Sequence, residues 1–327
     1  MLTIYRPPGS NYSFEFHLNN GFLSSDSSHL NITTELSDQV EIICCSTISE
    51  ILPYIFNYLH KYRYLIWCDE PLWLGLDGFD IMSYVSELRQ IYSVQIAVVT
   101  HINCDFSWQI HAFLSNYYFP SLFSAPSLDS LHSKKDKAIF LGQYRQEPVF
   151  KYNLPNNKSI CTIRCSLAIK LWLQNLCDIL GKGWSKSFLF SKPTRDLDSW
   201  VSTKLQILRS YKYNICSENS AAPSYITEKI LHSVFMKCIP IYHFNYIPTN
   251  DFSQNLLTGL RNISIDASNH SSRSISDILS SMTDSDYIER CYTASKCLDL
   301  ARSNCLDLHS ISRIVATQIH DQISKQL

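Results

Sequence analysis

Short apolar runs in this chain of 327 residues switch repeatedly between the period of a strand and that of a helix, and that alternation constrains the fold more than any other feature. Val40 to Cys45 is a β-branched and cysteine run of the kind found in buried strands. Ile48 to His60 has helical spacing, with Pro53 expected to start a turn or a kink. Tyr64 to Cys68 reads as a second strand, closed by Asp69-Glu70-Pro71. A helix near Asp80 to Gln90 and a strand at Val94 to Val99 follow. Strand, helix and strand in this order call for a parallel sheet covered by helices.

The same alternation resumes after residues 120–137, a Ser- and Pro-containing stretch that ends in Lys134-Lys-Asp-Lys137 and reads as a solvated linker. Beyond it, Ala138 to Leu141 is a strand, and Ile163 to Leu180 is one helix stopped by Gly181. Tyr211 to Ser217 is a strand, Thr227 to Lys237 a helix and Cys238 to Tyr242 a strand. From Asp284 onward the pattern is helical, whereas residues 1–37 are polar and weakly periodic. At roughly 150 residues per domain the length suits two α/β lobes. Their expected bounds are 1–130 and 131–300, with a helical segment at 301–327.

Composition removes several function classes. With 28 Lys+Arg against 29 Asp+Glu the net charge is −1, so no global basic field attracts nucleic acid. Only 8 glycines are present, where average usage of about 7% would give about 23, so glycine-loop phosphate cradles are not expected. The 12 cysteines lie mostly within apolar runs and form no Cys-x-x-Cys pair. They read as buried thiols of a reducing compartment, with no zinc site. The N-terminus lacks a signal-peptide pattern, and no 18-residue apolar run spans a membrane. The expected location is the cytoplasm, with peripheral association to a membrane left open.

Chemistry concentrates in Tyr211 to Tyr242, which reads as one β-α-β unit. The first strand runs into Glu218-Asn219-Ser220, and the helix opens with Thr227-Glu228-Lys229. Parallel sheets bind ligands at the carboxyl ends of their strands. Free N–H groups at the helix start and the charge of Lys229 suit a diphosphate. Glu228 can accept hydrogen bonds from ribose hydroxyls, and Tyr225 can pack on a sugar or base. The same residues equally fit a simple helix cap with a solvated lysine.

The pattern Lys212-Tyr-Asn-Ile-Cys-Ser-Glu-Asn-Ser220, Tyr225-Ile-Thr-Glu-Lys229 and Ile239-Pro-Ile241 resembles the C-terminal signature of the α1,3/α1,4-fucosyltransferases, glycosyltransferase family 10. That resemblance implies a GT-B architecture of two Rossmann-like lobes with an interlobe cleft. It implies an inverting transfer of L-fucose from GDP-fucose to a glycan hydroxyl, without a metal or other cofactor. Asn219, Tyr225, Glu228 and Lys229 would contact the donor, and an upstream arginine would neutralise the departing diphosphate. Arg164 is the candidate for that arginine, with Arg145 and Arg195 as competitors. A first-lobe carboxylate would be the general base, and Glu70 before Pro71 is placed in that role, with Asp69 as its rival.

Two positions depart from the family pattern: Ser217 stands where an aromatic residue is usual, and His243-Phe244 where a glycine commonly follows the Ile-Pro-Ile strand. These changes leave open a different GDP-sugar donor; a first-lobe acid without the right geometry would instead leave a binder of sugar nucleotides or glycans that does not catalyse transfer. Asp196-Leu-Asp198 and Asp284-Ser-Asp286 spell the Asp-x-Asp of metal-dependent transferases, but basic side chains are expected to take that role.

Overall fold

Parallel pairing organises both halves of the chain. The computed structural model describes residues 2–8, 30–68, 81–100, 104, 125–151, 153–154, 157–184, 200–222, 225–244 and 251–326. Two compact units emerge: residues 1–112, 152–158 and 306–327, and residues 113–151 and 159–305.

The first unit carries a sheet of order β2-β1-β3-β4-β5, formed by Leu2–Tyr5 (β1), Leu30–Thr33 (β2), Ile42–Cys45 (β3), Arg63–Cys68 (β4) and Ile96–Thr100 (β5). All neighbouring strands are parallel. Helices Ile48–Asn57 (α1) and Ile81–Tyr92 (α2) are the crossovers. Ile48, Ile51 and Ile55 of α1 and Ile81, Val85 and Leu88 of α2 are buried in one cluster with Ile43, Tyr64, Ile66 and Val98. Pro53 stands inside α1 rather than ending it; at the sixth helical position it still lacks an N–H, but Thr47 caps the start by accepting from Glu50 N, and Tyr64 Oη donates to the Tyr54 and Tyr58 carbonyls beyond. The first strand was not evident from sequence: Leu2-Thr-Ile-Tyr5 is short and followed by polar residues, and its partners lie 28 or more positions away.

In the second unit the order is β13-β12-β10-β6-β9, formed by Lys135–Leu141 (β6), Cys177–Leu180 (β9), Tyr211–Ile215 (β10), Ile239–Tyr242 (β12) and Ile265–Asp266 (β13). These pairs too are parallel. Between them in sequence lie the short strands Asn153–Leu154 (β7) and Asn157–Ser159 (β8), paired antiparallel, and Ser220–Ala221 (β11). The helices are Cys161–Leu173 (α3), Trp200–Leu208 (α4), Glu228–Phe235 (α5), Asp251–Ile263 (α6), Ser272–Ser281 (α7) and Asp284–Ser303 (α8). The last helix, Leu308–Gln326 (α9), belongs to the first unit and packs on β5. It buries Ile311, Val315, Ile319 and Ile323, four residues apart, so the terminal segment is part of that unit rather than an appendage beginning at 301.

Two further expectations are corrected. The segment 163–180 is not one helix: α3 ends at Leu173, Asn175 takes a left-handed φ of 58°, and Cys177–Leu180 turns back as β9 against β6. Its leucines sustain a helical spacing through the turn, and only the tertiary pairing distinguishes the two elements. The Lys134–Lys137 stretch is not a solvated linker either, since β6 begins at Lys135. Lys134 is buried, and its ammonium donates to the carbonyls of Leu208, Tyr211 and Met236 at 3.2, 3.0 and 2.7 Å. Leu208 ends α4 and Met236 caps α5, so one cation satisfies carbonyls at two helix C-termini. Among the described residues no helix is long and apolar enough to cross a membrane.

Candidate functional site

The order of the second sheet fixes where a ligand can enter. From β6 the chain crosses to β9 on one side, then returns to β10 on the other and proceeds outward to β12 and β13. The exits of β6 and β10 therefore flank the point where the strand order reverses, where open parallel sheets bind their ligands. Gly142 to Gln146 leave β6 there, and Cys216 to Asn219 leave β10.

Beyond β10 the side chains alternate as they would in a strand. Ser217 meets α3 through its carbonyl and Asn219 through its side chain. Arg164 of that helix is buried, its Nη1 donating to the Ser217 carbonyl at 2.8 Å and its Nη2 to Asn219 Oδ1 at 2.5 Å. Its Nε is buried without a hydrogen-bond partner among the described residues, and the guanidinium stands over the Phe140 ring at 5.8 Å. Asn219 is fixed from the other direction as well, its carbonyl accepting from Ile160 N at 2.9 Å. Arg164 and Asn219, 55 positions apart, are thus brought together.

Glu218 turns the other way, toward α5. Only 2% exposed, its carboxylate accepts from Thr227 N at 2.9 Å, Thr227 Oγ1 at 2.8 Å and Lys229 Nζ at 2.8 Å. Thr227 occupies the N-cap with extended backbone, but its hydroxyl serves Glu218 rather than the helix. The acid at the strand end is therefore the anchor of the helix start, a role the sequence reading did not assign. An acid immediately before Asn219, facing a Thr-Glu-Lys opening nine residues on, was the available signal.

Glu228 has a second cation. Lys204 of α4, almost wholly buried, places Nζ at 3.3 Å from Glu228 Oε1. Burial pushes the Glu228 carboxyl up, yet Lys229, Lys204 and His232 together outweigh it and hold the group well below the usual carboxylate range. Burial acts on Lys204 in the opposite sense and lowers its ammonium, partly offset by Glu228. Tyr225 is 4% exposed, so its ring is enclosed by the chain. Arg145 lies over Phe150 at 5.5 Å, with Nη1 3.7 Å from Cys161 Sγ.

The two positions that depart from the family pattern meet each other. Ser217 Oγ is 2.7 Å from His243 Nδ1 and accepts from His243 N at 3.1 Å. Burial lowers the His243 imidazole to about 4; Asp266 opposes the shift and Arg164 adds to it. Nearby, burial pushes the Cys216 thiol up to about 12, which keeps it unreactive beside the site.

Several expected residues cannot be placed. Glu70, Asp69, Arg195 and Asp196-Leu-Asp198 lie outside the described residues. Asp284 and Asp286 have a structural use: Asp286 forms a capping box with Thr283, and Asp284 accepts from Lys212 at 2.7 Å. Among the described residues no group of three His, Cys, Asp or Glu side chains is arranged to hold a metal.

No family model matches the chain. An α-(1,3)-fucosyltransferase, FucT of Helicobacter pylori, is 40% identical to it over 53 residues. The similarity is to a fucosyltransferase. It covers 16% of this chain, and the chain spans only 11% of that relative's length. Crystal structures of an α1,3-fucosyltransferase, alone and with GDP, superpose with TM-scores of 0.49 and 0.48. Each is 14% identical, over 89% of this chain and 81% of the solved one.

Proposed function

We propose that this protein is an inverting glycosyltransferase of the GT-B type that moves L-fucose from GDP-fucose to a hydroxyl of a glycan. The observation that carries the reading is the strand-end cluster of the second unit. The polar residues that the family signature picks out lie together at the carboxyl end of β10 and the start of α5, at the switch point of a parallel sheet. The partial identity to a fucosyltransferase supports the same reading.

Each residue then has a physical task. Arg164, held by Ser217 and Asn219, supplies a fixed positive charge for the diphosphate as it departs. Lys229, steadied by Glu218, adds a second cation at a helix N-terminus. Glu228, kept ionised by Lys204 and Lys229, accepts hydrogen bonds from ribose hydroxyls. Asn219 and Tyr225 complete the donor contacts. Glu70 takes the proton from the attacking hydroxyl, with Asp69 the competing base. No metal is needed where guanidinium and ammonium groups offset the diphosphate charge.

Another GDP-sugar donor is the second reading, favoured by the direct contact of Ser217 with His243. Incubation with GDP-fucose and an oligosaccharide bearing N-acetylglucosamine tests the activity. GDP release coupled to a mass gain of one deoxyhexose is expected; binding of GDP-fucose with no product would reduce the protein to a binder.

A further inference from the structure

Helix α5 is 8 residues long and carries Glu228 and Lys229 in its first turn, so its placement decides where those two groups stand. A helix this short has little stability of its own and takes its position from packing. Ile230, Leu231 and Val234 bury its apolar face. Apolar contact is non-directional, however, and leaves a helix free to slide or roll. The N-cap hydroxyl of Thr227 is turned to Glu218 rather than to the helix.

A second polar bridge joins α5 to β10. Asn214 is 2% exposed and is paired with Ile139 and Pro240 of the neighbouring strands. Its Nδ2 donates to Ser233 Oγ at 2.6 Å, and that buried hydroxyl donates to the Lys229 carbonyl at 2.9 Å. Lys229 is therefore held at both ends, its carbonyl through Ser233 and Asn214 and its Nζ by Glu218 at 2.8 Å. Asn214 and Glu218 stand four residues apart, on one face by the alternation of a strand, so the two bridges grip α5 at two points. Asn214 Oδ1 is buried without a hydrogen-bond partner among the described residues. A half-satisfied amide in a buried strand costs stability that a leucine in its place would not. The bridge is thus poorly suited to stabilising the fold alone.

We propose that Asn214 is a positioning residue for the donor site: through Ser233 it fixes the first turn of α5, and with it the Lys229 ammonium and the Glu228 carboxylate. Its hydrogen bond supplies the direction that the apolar contacts lack. The inference rests on the reading of α5 as part of a GDP-sugar site.

Asn214→Leu combined with Ser233→Ala in the full chain tests it, because the pair removes both partners of the bridge and leaves neither side chain with a polar group to satisfy. GDP affinity by calorimetry should fall about tenfold, while the urea midpoint equals or exceeds that of the native chain. A purely structural bridge predicts the reverse: a lower midpoint, with GDP affinity of the folded fraction unchanged. Should the double variant not fold, Ser233→Ala alone is the smaller change and should weaken GDP about threefold or more. The Cε resonances of ¹³C-labelled lysine read the same displacement without any nucleotide, and that of Lys229 should shift in the variant. GDP affinity within about twofold of native, or an unmoved Lys229 resonance, would each overturn the proposal. A native chain that binds no GDP would instead fail the fucosyltransferase reading, and the Lys229 resonance would still decide this one.

Discussion

Ser217 Oγ and His243 Nδ1 lie 2.7 Å apart and so tie together the exits of the neighbouring strands β10 and β12. They are 26 positions apart in sequence, and each stands where the fucosyltransferase signature usually has another residue. The two residues form one hydrogen-bonded unit, the Ser217 hydroxyl meeting both the imidazole and the main-chain N–H of His243. Exchange of one without the other should therefore be less well tolerated than exchange of both.

Acid should unfold the protein partly through His243. Its imidazole titrates near 4 in the folded chain, whereas an exposed histidine titrates near 6.5. Between those values the unfolded chain binds the proton and the native chain does not, so stability falls as pH drops from about 6.5 to about 4. The full shift corresponds to a loss on the order of 3 kcal/mol. Urea denaturation across that window should show this slope in the native chain and a shallower one in His243→Gln; equal slopes contradict the assignment. Glu228, held low, acts further down: its contribution is present above the ordinary carboxylate range and is lost only as pH falls below it.

Lys229→Ala should have two separable effects. It removes a donor-site cation, so GDP affinity by calorimetry should drop at least tenfold. It also strips the buried Glu218 carboxylate of its ammonium partner, a loss of roughly 2–4 kcal/mol of stability, tempered because Lys229 is partly exposed. Lys229→Ala combined with Glu218→Gln should recover much of the stability and none of the GDP affinity. Unchanged GDP affinity in the single variant would remove Lys229 from the site.

Lys134→Met should be among the most damaging single changes in the second unit. Three carbonyls, from Leu208, Tyr211 and Met236, lose their shared donor in a buried position. The expected cost is about 3 kcal/mol or more by urea denaturation, with GDP affinity of the folded fraction little changed. A variant as stable as the native chain would show that these carbonyls find other partners.

Glu70→Gln should leave GDP affinity intact and abolish transfer, since a neutral amide cannot take the proton of the acceptor hydroxyl. An active Glu70→Gln enzyme would move the base to Asp69 or elsewhere.

What the sequence discloses follows the range of each interaction. Ile239-Pro-Ile-Tyr242 and Tyr211–Ile215 are legible because burial of strands is written in local, continuous apolar runs. The start of α5 is legible because a helix entrance is a local polar pattern. Leu173 to Leu180 misleads, since the left-handed turn at Asn175 interrupts the helix without interrupting the leucine spacing. Lys134 misleads for a related reason: a lysine beside Lys135 and Lys137 looks solvated, and only the distant carbonyls of Leu208 and Met236 show otherwise. Arg164 is one of three candidate arginines in the sequence, and its 2.5 Å contact with Asn219, 55 positions away, is a pairing that no local pattern discloses. Glu218 went unassigned because its partners appear only once α5 folds back on the strand end. Scarce glycine proved informative in a narrower sense: Gly181, with φ of 154°, has no room for a Cβ, which would lie 2.0 Å from the Gly142 carbonyl.

Thermal protection by a panel of nucleotide sugars tests the central claim most directly. A ligand that binds only the folded chain raises its melting temperature in proportion to occupancy. GDP-fucose should protect more than GDP-mannose, and UDP-sugars should not protect at all. Protection by UDP-sugars equal to or above that by GDP-fucose, or no protection by any GDP compound, would contradict the account.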